Sequence, residues 1–381
     1  MIESFQKRIL LKIRTGNNKF QKESNKKLIL NIIRKKKRIS RMGIACELGI
    51  RPSTVTALIN ELKCSHQILE SGIKTDSTPT GGRKQTLLEI NRNFGAIAGI
   101  ELLPDRFKLI LTDITGEIIL KEAFEINLLN PGIEESLEII HKAVREKVEM
   151  SELPLLSINF AVGGVVISDE NTVRNSIDLK LKDFDFQSRF ADKVKIPVLV
   201  ENDSRACAYG EKWLSGEEFS SNFLYIYAKR KRIAGMSLPV TGISFILNNR
   251  IYNGAHYSSG ELSPHFRRKV QKRIAEQALK HKGKSDKLIA DIFTFIIDDL
   301  MNLITFIDPG RICLGSELSE YAEAVRAEFQ KAGRNSYFSD LPEISLSRLS
   351  EYGEYEAAYG AATLFLDKWY SIPQIGAEEK H

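Results

Sequence analysis

The chain has 381 residues, 43% of them apolar and 27% charged, a balance that suits several globular cores and excludes a disordered tail or a fibrous protein. No apolar run approaches the roughly 18 residues of a membrane span. Lys12 and Arg14 also break up the hydrophobic start MIESFQKRILLKIR, so a soluble, cytoplasmic and unexported protein is expected. Charge is unevenly divided: residues 1–93 hold 20 Lys and Arg against 7 Asp and Glu, a net +13, and residues 94–381 hold 35 against 42, a net −7. A basic front on an acidic body suits a polyanion-binding module, although charge alone would equally describe a solvated basic face. The cysteines, Cys46, Cys64, Cys207 and Cys313, form no CxxC or CxC pair, so neither a thiolate metal site nor a disulfide framework is expected.

From Asn25, NKKLILNIIRKKKRIS places Leu28, Ile29, Ile32 and Ile33 at helical spacing, and the Lys35–Arg38 run ends the helix. Ser40 is a plausible N-cap for a second helix, RMGIACEL, which turns Ile44, Ala45 and Leu48 inward before Gly49 breaks it. In the third segment, RPSTVTALINEL, Pro52 suits a first helical position, and Val55, Leu58, Ile59 and Leu62 form an i, i+3, i+4, i+7 stripe. Ser53, Thr54, Thr56 and Asn60 then face outward beside Arg51. Small hydroxyl and amide groups at the start of such a helix can meet phosphates and base edges in a major groove. Strands at QILESG and QTLLEIN flank the polar tip TDSTPTGGRK, which describes a hairpin wing. Arg83 and Lys84 follow its two glycines, where a guanidinium can enter a narrow minor groove.

Beyond residue 93 strands and helices alternate. FGAIAGIELL and FKLILTDITGEII read as strands around a turn at Pro104–Asp105, with KEAFEINL as a third. A helix follows over Ile133–Met150. LLSINFAVGGVVI is a buried strand running into a glycine turn, and IPVLVEND feeds directly into the helix SRACAYGEKWL. This is an α/β pattern, and strand-to-helix edges are where such folds hold ligands. Asp203, at that edge, can accept hydrogen bonds from adjacent hydroxyls, and Asn202 or Asp203 can equally cap the helix.

The order of these segments resembles the ROK family of bacterial sugar kinases and sugar-responsive repressors. The resemblance runs along nearly the whole chain: the opening Thr15, Gly16, Asn17 and Asn25, the GGR of the wing, AVGGVV at 161–166, ENDSRACAYGE at 201–211, NGAHYSSGEL at 253–262, IDPGRICLGS at 307–316 and AAYGAA at 357–362. It implies an N-terminal winged helix-turn-helix (α+β) over 1–90, then an α/β two-lobed actin-like sugar-kinase fold. One lobe would be 91–200 with 355–381, the other 201–354. It also implies ligand contacts at Gly164, Asn202, Asp203, Glu261 and His265, with Asp203 as the base if the protein were a kinase. The family's GExGH reads GELSPH here, which puts Pro264 in the histidine register.

Further departures bear on chemistry. Where family kinases carry a glycine-rich DxGGT loop, this chain reads GIELLPDR, with Glu101, Leu103 and Pro104. A carboxylate and bulky side chains oppose a phosphate. The second phosphate loop is reduced to PVTGIS after the basic stretch AKRKRIAGM, and no cysteine lies between Cys207 and Cys313. No ATP and no zinc are therefore expected. The leading reading is a homodimeric, non-enzymatic DNA-binding repressor of carbohydrate-utilisation genes, regulated by a small sugar or polyol. A bifunctional ATP-dependent sugar kinase that also binds DNA is the second reading, and a DNA-binding protein with an inert body the third.

Overall fold

A computed structural model describes residues 18–74, 85–130, 132–216, 220–233, 236–261, 272, 304, 306–334 and 342–373. Two compact units emerge. The smaller takes in residues up to Ala96, the turn Asp113–Glu117 and residues from Leu366 onward; the larger takes in Ile97–Thr112 and Ile118–Phe365.

In the smaller unit, α1 (Asn18–Lys36), α2 (Arg41–Leu48) and α3 (Pro52–Cys64) pack on a three-stranded sheet of β1 (Ile39–Ser40), β3 (Thr86–Ile90) and β2 (Ile68–Lys74), in the order β1-β3-β2. Helix α1 starts earlier than its apolar spacing suggests, and it buries Ile29, Leu30 and Ile33 while Leu28 and Ile32 remain half-buried. The two-residue strand β1 pairs antiparallel with Leu87 and Leu88. This long-range pairing leaves no periodicity in the sequence. Ile44, Leu48, Val55, Leu58, Ile59, Leu62, Ile68 and Leu88 close the core beneath the three helices.

The larger unit is built on a five-stranded sheet in the order β11-β7-β4-β5-β6. Its strands are β4 (Ala96–Leu103), β5 (Arg106–Asp113), β6 (Ile118–Glu125), β7 (Leu155–Val162) and β11 (Val198–Asn202), with α4 (Ile133–Ser151) between β6 and β7. The chain turns at 114–117, so Ile118 and Ile119 belong to β6 and not to the preceding strand as expected. Ala98, Ile100, Phe107, Leu109, Leu111 and Phe160 join one core with Leu137, Ile140 and Val144 of α4; Ile110 and Ala161 join a second on the opposite face. Burial on both faces explains why β4 and β7 read as near-continuous apolar runs. Edge strand β6 instead alternates half-buried and exposed positions.

Two further sheets complete this unit. One orders β10 (Leu181–Asp185), β9 (Thr172–Ser176) and β8 (Val165–Ile167). The other orders β14 (Arg250–Ile251), β13 (Met236–Leu247), β12 (Phe223–Ile233), β15 (Arg311–Leu314) and β16 (Glu343–Leu346). Helix α5 (Asp203–Ser215) follows β11 without a loop, and α6 (Ala322–Arg334) and α7 (Glu356–Tyr370) follow β15 and β16. A Cβ on Gly360 of α7 would stand 2.2 Å from the Ala206 carbonyl oxygen, so α5 and α7 meet backbone to backbone. Only glycine permits that approach. Of α7, residues through Phe365 belong to the larger unit and those from Leu366 to the smaller.

Candidate functional site

The smaller unit presents a candidate nucleic-acid surface. Ser40 caps α2 by accepting a hydrogen bond from the Gly43 amide at 3.1 Å, and Gly49 ends it in the left-handed region at φ 62°. Arg51 then occupies the N-cap of α3 with extended backbone and no side-chain cap, and Pro52 follows. Val55, Leu58, Ile59 and Leu62 are buried, whereas Arg51, Ser53, Thr54, Thr56 and Asn60 are exposed. Thr56 Oγ1 donates to the Pro52 carbonyl oxygen at 2.8 Å, which leaves Ser53, Thr54 and Asn60 as the polar groups least committed to the helix itself. No acidic residue sits in the first turn of α3. Its uncapped amides and the Arg51 guanidinium therefore form a positive end suited to phosphate.

Much of the surrounding basic charge is internally paired. Lys63 and Arg41 converge on Glu70 of β2 at 2.6 and 3.3 Å, and Arg38 meets Glu89 of β3 at 3.1 Å. Arg51 makes no ion pair among the described residues, so the helix start is the accessible cation of this face. Hairpin β2–β3 pairs Ile68 with Ile90 and Lys74 with Thr86, with a register shift between Glu70 and Lys74. Arg83 and Lys84 lie outside the described residues.

The same unit holds the end of α7. Asn31 Nδ2 of α1 donates to the Tyr370 carbonyl oxygen at 2.6 Å, and Lys27 Nζ donates to that of Trp369 while lying over the indole ring. Phe94 flanks the same indole, with ring centroids 5.3 Å apart. Two carbonyls that a helix C-terminus leaves unsatisfied are thus capped by α1, the first helix of the smaller unit.

In the larger unit, the β11–α5 edge meets the turn between β7 and β8. Gly164 adopts φ 119°, and a Cβ there would stand 2.2 Å from the Asn175 carbonyl oxygen, so both conformation and space require glycine. Asn202 Nδ2 donates to the Gly164 carbonyl at 2.9 Å, while its Oδ1 accepts from the Arg205 amide at 3.1 Å and from Ser204 Oγ at 2.7 Å. Asn202 thus caps α5 and pins the glycine turn together. Asp203 Oδ1 accepts from the Ser204 amide at 2.8 Å. Its Oδ2 accepts from Lys229 Nζ of β12, also at 2.8 Å, and Asp178 Oδ2 stands 4.0 Å from that ammonium. Burial pulls the Lys229 ammonium down, but the charges of Asp203 and Glu101 outweigh it and raise its pKa above the ordinary lysine value. Asp203 faces a fixed cation.

Arg205 ties the site together. Its guanidinium donates to Glu201 Oε1 at 2.7 Å, to the Val166 carbonyl of β8 at 2.7 Å and to the Tyr257 carbonyl at 3.0 Å. The Arg205 and Glu201 side chains are only 2% and 3% exposed. Tyr257 donates its hydroxyl to Asp169, a hydrogen bond that pushes its own pKa up to about 12. Glu261 follows on this loop, half-buried, with its amide donating to the Ser258 carbonyl at 3.2 Å. Ser168 Oγ and Asn253 Oδ1, on the two segments that Arg205 and Tyr257 fasten together, are buried without a hydrogen-bond partner. A polyhydroxyl ligand would supply one. Gly164, Asn202 and Asp203 are brought together, and His265 lies outside the described residues.

Lys229, Arg205, Glu201 and Tyr257 were not singled out from the sequence. Lys229 lay in the basic stretch that interrupts the expected phosphate loop, and its alternation along β12 was the available signal. Strand β12, which carries Lys229, forms an antiparallel ladder with β13 from Phe223↔Ile246 to Ile233↔Met236. Glu101, in place of a phosphate-loop residue, is buried and accepts from the Tyr227 hydroxyl at 2.7 Å, with Lys108 Nζ 3.3 Å from its other oxygen.

Comparison with known proteins gives three findings. Residues 97–267 match the model of the ROK family. A putative xylose repressor from Caldicellulosiruptor sp. (strain Rt8B.4) is 31% identical over 249 residues, covering 65% of this chain and 59% of the relative. The xylose repressor of Bacillus subtilis (strain 168) is 30% identical over 245 residues, covering 64% and 60%. The chain spans about three fifths of the length of these curated relatives. A crystal structure of a ROK family transcriptional regulator, a homolog of the E. coli MLC protein, superposes with a TM-score of 0.70 at 17% identity, covering 92% of this chain and 96% of that one. That likeness is one of fold. The segment 97–267, which holds the glycine turn, Asn202, Asp203 and Lys229, is a ROK family domain.

Proposed function

We propose that this chain is a transcription repressor of carbohydrate-utilisation genes, reading operator DNA with α3 and a small sugar with the β11–α5 edge. The observation that carries the reading is the coupling, in one chain, of an exposed Arg51, Ser53, Thr54 and Asn60 helix face to a ROK domain. The relatives named as xylose repressors make a pentose the first candidate effector. Residues Gly164, Asn202, Asp203, Glu261 and His265 form the sugar site, and Arg83 and Lys84 supply the wing contact to the minor groove. A homodimer would place two α3 helices on a two-fold operator. Phosphoryl transfer is disfavoured because Lys229 engages Asp203 and because Leu103 and Pro104 stand in the register of the glycines of the family's DxGGT loop. No helix among the described residues is long and apolar enough to cross a membrane.

Fluorescence anisotropy with DNA from upstream of the chain's own coding sequence tests this. Binding should weaken steeply with salt, by about −0.9 in log–log slope per phosphate contact. Arg51→Ala and Arg83→Ala should each weaken it with the fold intact. D-xylose should change the affinity of the wild type, and Asp203→Asn should retain DNA binding while losing that response. DNA binding that ignores α3 and wing substitutions would refute the reading, and a coupled assay showing ATP turnover with sugar would establish the kinase alternative.

A further inference from the structure

We infer that Tyr225 and Tyr227 of β12 form a latch between the two five-stranded sheets of the larger unit, with Glu356 of α7 and Glu101 of β4 as its catches, so that this unit is held closed by its own side chains. This goes beyond the repressor reading and does not depend on it.

Residues two apart on a strand point to the same side. On this side of β12 each tyrosine meets a carboxyl carried by the other sheet or by the helix packed on it. Tyr227 donates its hydroxyl to Glu101 Oε1 at 2.7 Å, and Tyr225 donates to Glu356 Oε2 at 3.2 Å while also reaching Ser347 Oγ at 3.1 Å. The two catches sit on one body: a Cβ on Gly99 of β4 would stand 2.1 Å from the Ala358 carbonyl oxygen, so α7 lies on β4 backbone to backbone. Strand β12 is fixed on its own side, by the ladder with β13 and by parallel pairing with β15 from Phe223↔Arg311 to Ile226↔Leu314. Just beyond β15, the Ser316 amide adds a further donor from that sheet, 2.8 Å from Glu356 Oε2.

The seam is dry. Tyr225 and Tyr227 are 0% and 4% exposed, and Glu101 and Glu356 are 1% each. Burial, reinforced by the facing carboxyls, pushes both tyrosine pKa values well up, so both hydroxyls keep the proton they donate. Glu101 Oε2 and Glu356 Oε1 are buried without a hydrogen-bond partner, and Lys108 Nζ stands 3.3 Å from the first of them. Among the described residues, Tyr227 therefore supplies the one hydrogen bond that Glu101 accepts. Losing one hydrogen bond to a carboxylate corresponds to about tenfold or more in the ratio of closed to open forms. A unit latched from within has closure as its ground state, and the open form is the population left for an effector to shift.

Pulsed electron–electron resonance on the full chain, with no ligand added, tests the latch by measuring the distance between the two sheets. Spin labels go on Glu138→Cys of α4 and Arg250→Cys of β14, both exposed, in a Cys46→Ser, Cys64→Ser background in which Cys207 and Cys313 are buried. With both tyrosines present the chain should give one narrow distance. Tyr225→Phe combined with Tyr227→Phe should add a longer distance, populated at least about tenfold more than with the tyrosines in place. Val173→Ala, which opens a cavity in the core beneath α4, should leave the distribution unchanged. A double variant that keeps the single narrow distance overturns the latch, as does a split distribution with both tyrosines present. If Val173→Ala splits the distribution in the same way, the tyrosines are ordinary packing and the latch is again overturned. Should circular dichroism show the double variant unfolded, Tyr227→Phe alone decides: a longer distance supports the latch, and an unchanged distribution overturns it.

Discussion

Arg205→Leu is the substitution whose consequence follows most directly from the geometry. The guanidinium is 2% exposed and makes three hydrogen bonds, to Glu201, Val166 and Tyr257. Leucine fills part of the volume and satisfies none of these acceptors. Glu201 would then carry a buried carboxylate whose Oε1 keeps only the Asn202 amide, at 2.8 Å. Removing one partner of such a pair costs about 3–5 kcal/mol, because the remaining charge has lost both its water and its counterion. Summing three charged hydrogen bonds separately would give more, but bonds within one network do not add. The expectation is therefore about 4 kcal/mol, read by urea denaturation followed through Trp213, which lies on α5 itself. Glu201→Leu together with Arg205→Leu should cost less than Arg205→Leu alone, since no unpaired charge remains. Arg205→Lys should fall between, because an ammonium cannot present the same planar fork. A loss below about 1 kcal/mol for Arg205→Leu, or a double variant that is the simple sum of its singles, would refute the buried-network account.

The carboxyl of Glu356 is buried, and burial pushes its pKa up to about 8 although it accepts from the Ser316 amide and the Tyr225 hydroxyl. Its unfolded value is 4.5, so between pH 4.5 and 8 the native state holds a proton that the unfolded state has released. Stability from this group should fall as pH rises through that window, by up to about 1.4 kcal/mol per unit. Glu356→Gln should flatten the dependence, and denaturation curves of unchanged pH slope would count against it. Helix α7 meets α5 backbone to backbone at Gly360 and ends capped by Lys27 and Asn31 of α1. Trp369→Ala or Asn31→Ala should accordingly leave sugar and DNA binding each within about twofold while shrinking the effect of sugar on DNA affinity. Anisotropy titrations in which that ratio is unchanged would exclude α7 as the connection.

Helix α3 and its neighbours could be read from the sequence because the information is local. The Val55, Leu58, Ile59 and Leu62 stripe, the Ser40 cap, Gly49 in the left-handed region and Pro52 at the first helical position all act within one or two turns of the chain. The glycine turn and the Asn202–Asp203 edge were also visible, as a buried apolar run ending in small residues and as a strand leading straight into a helix. Tertiary structure decided what these residues touch. Leu30 replaces Leu28 in the core of α1, because the helix buries the face that packing against its neighbours selects. β1 exists only through Leu87 and Leu88, and α7 finds α1 more than 300 residues away. Asp203 looked like an open carboxylate at a strand end, yet it is held by Lys229, 26 residues along the chain. Hydrophobic periodicity records which side of an element is buried, but not which distant charge will be brought to 2.8 Å of it. Elements and capping were thus written in the sequence, while the state of the Asp203 carboxylate depends on the packing of β12 beside α5.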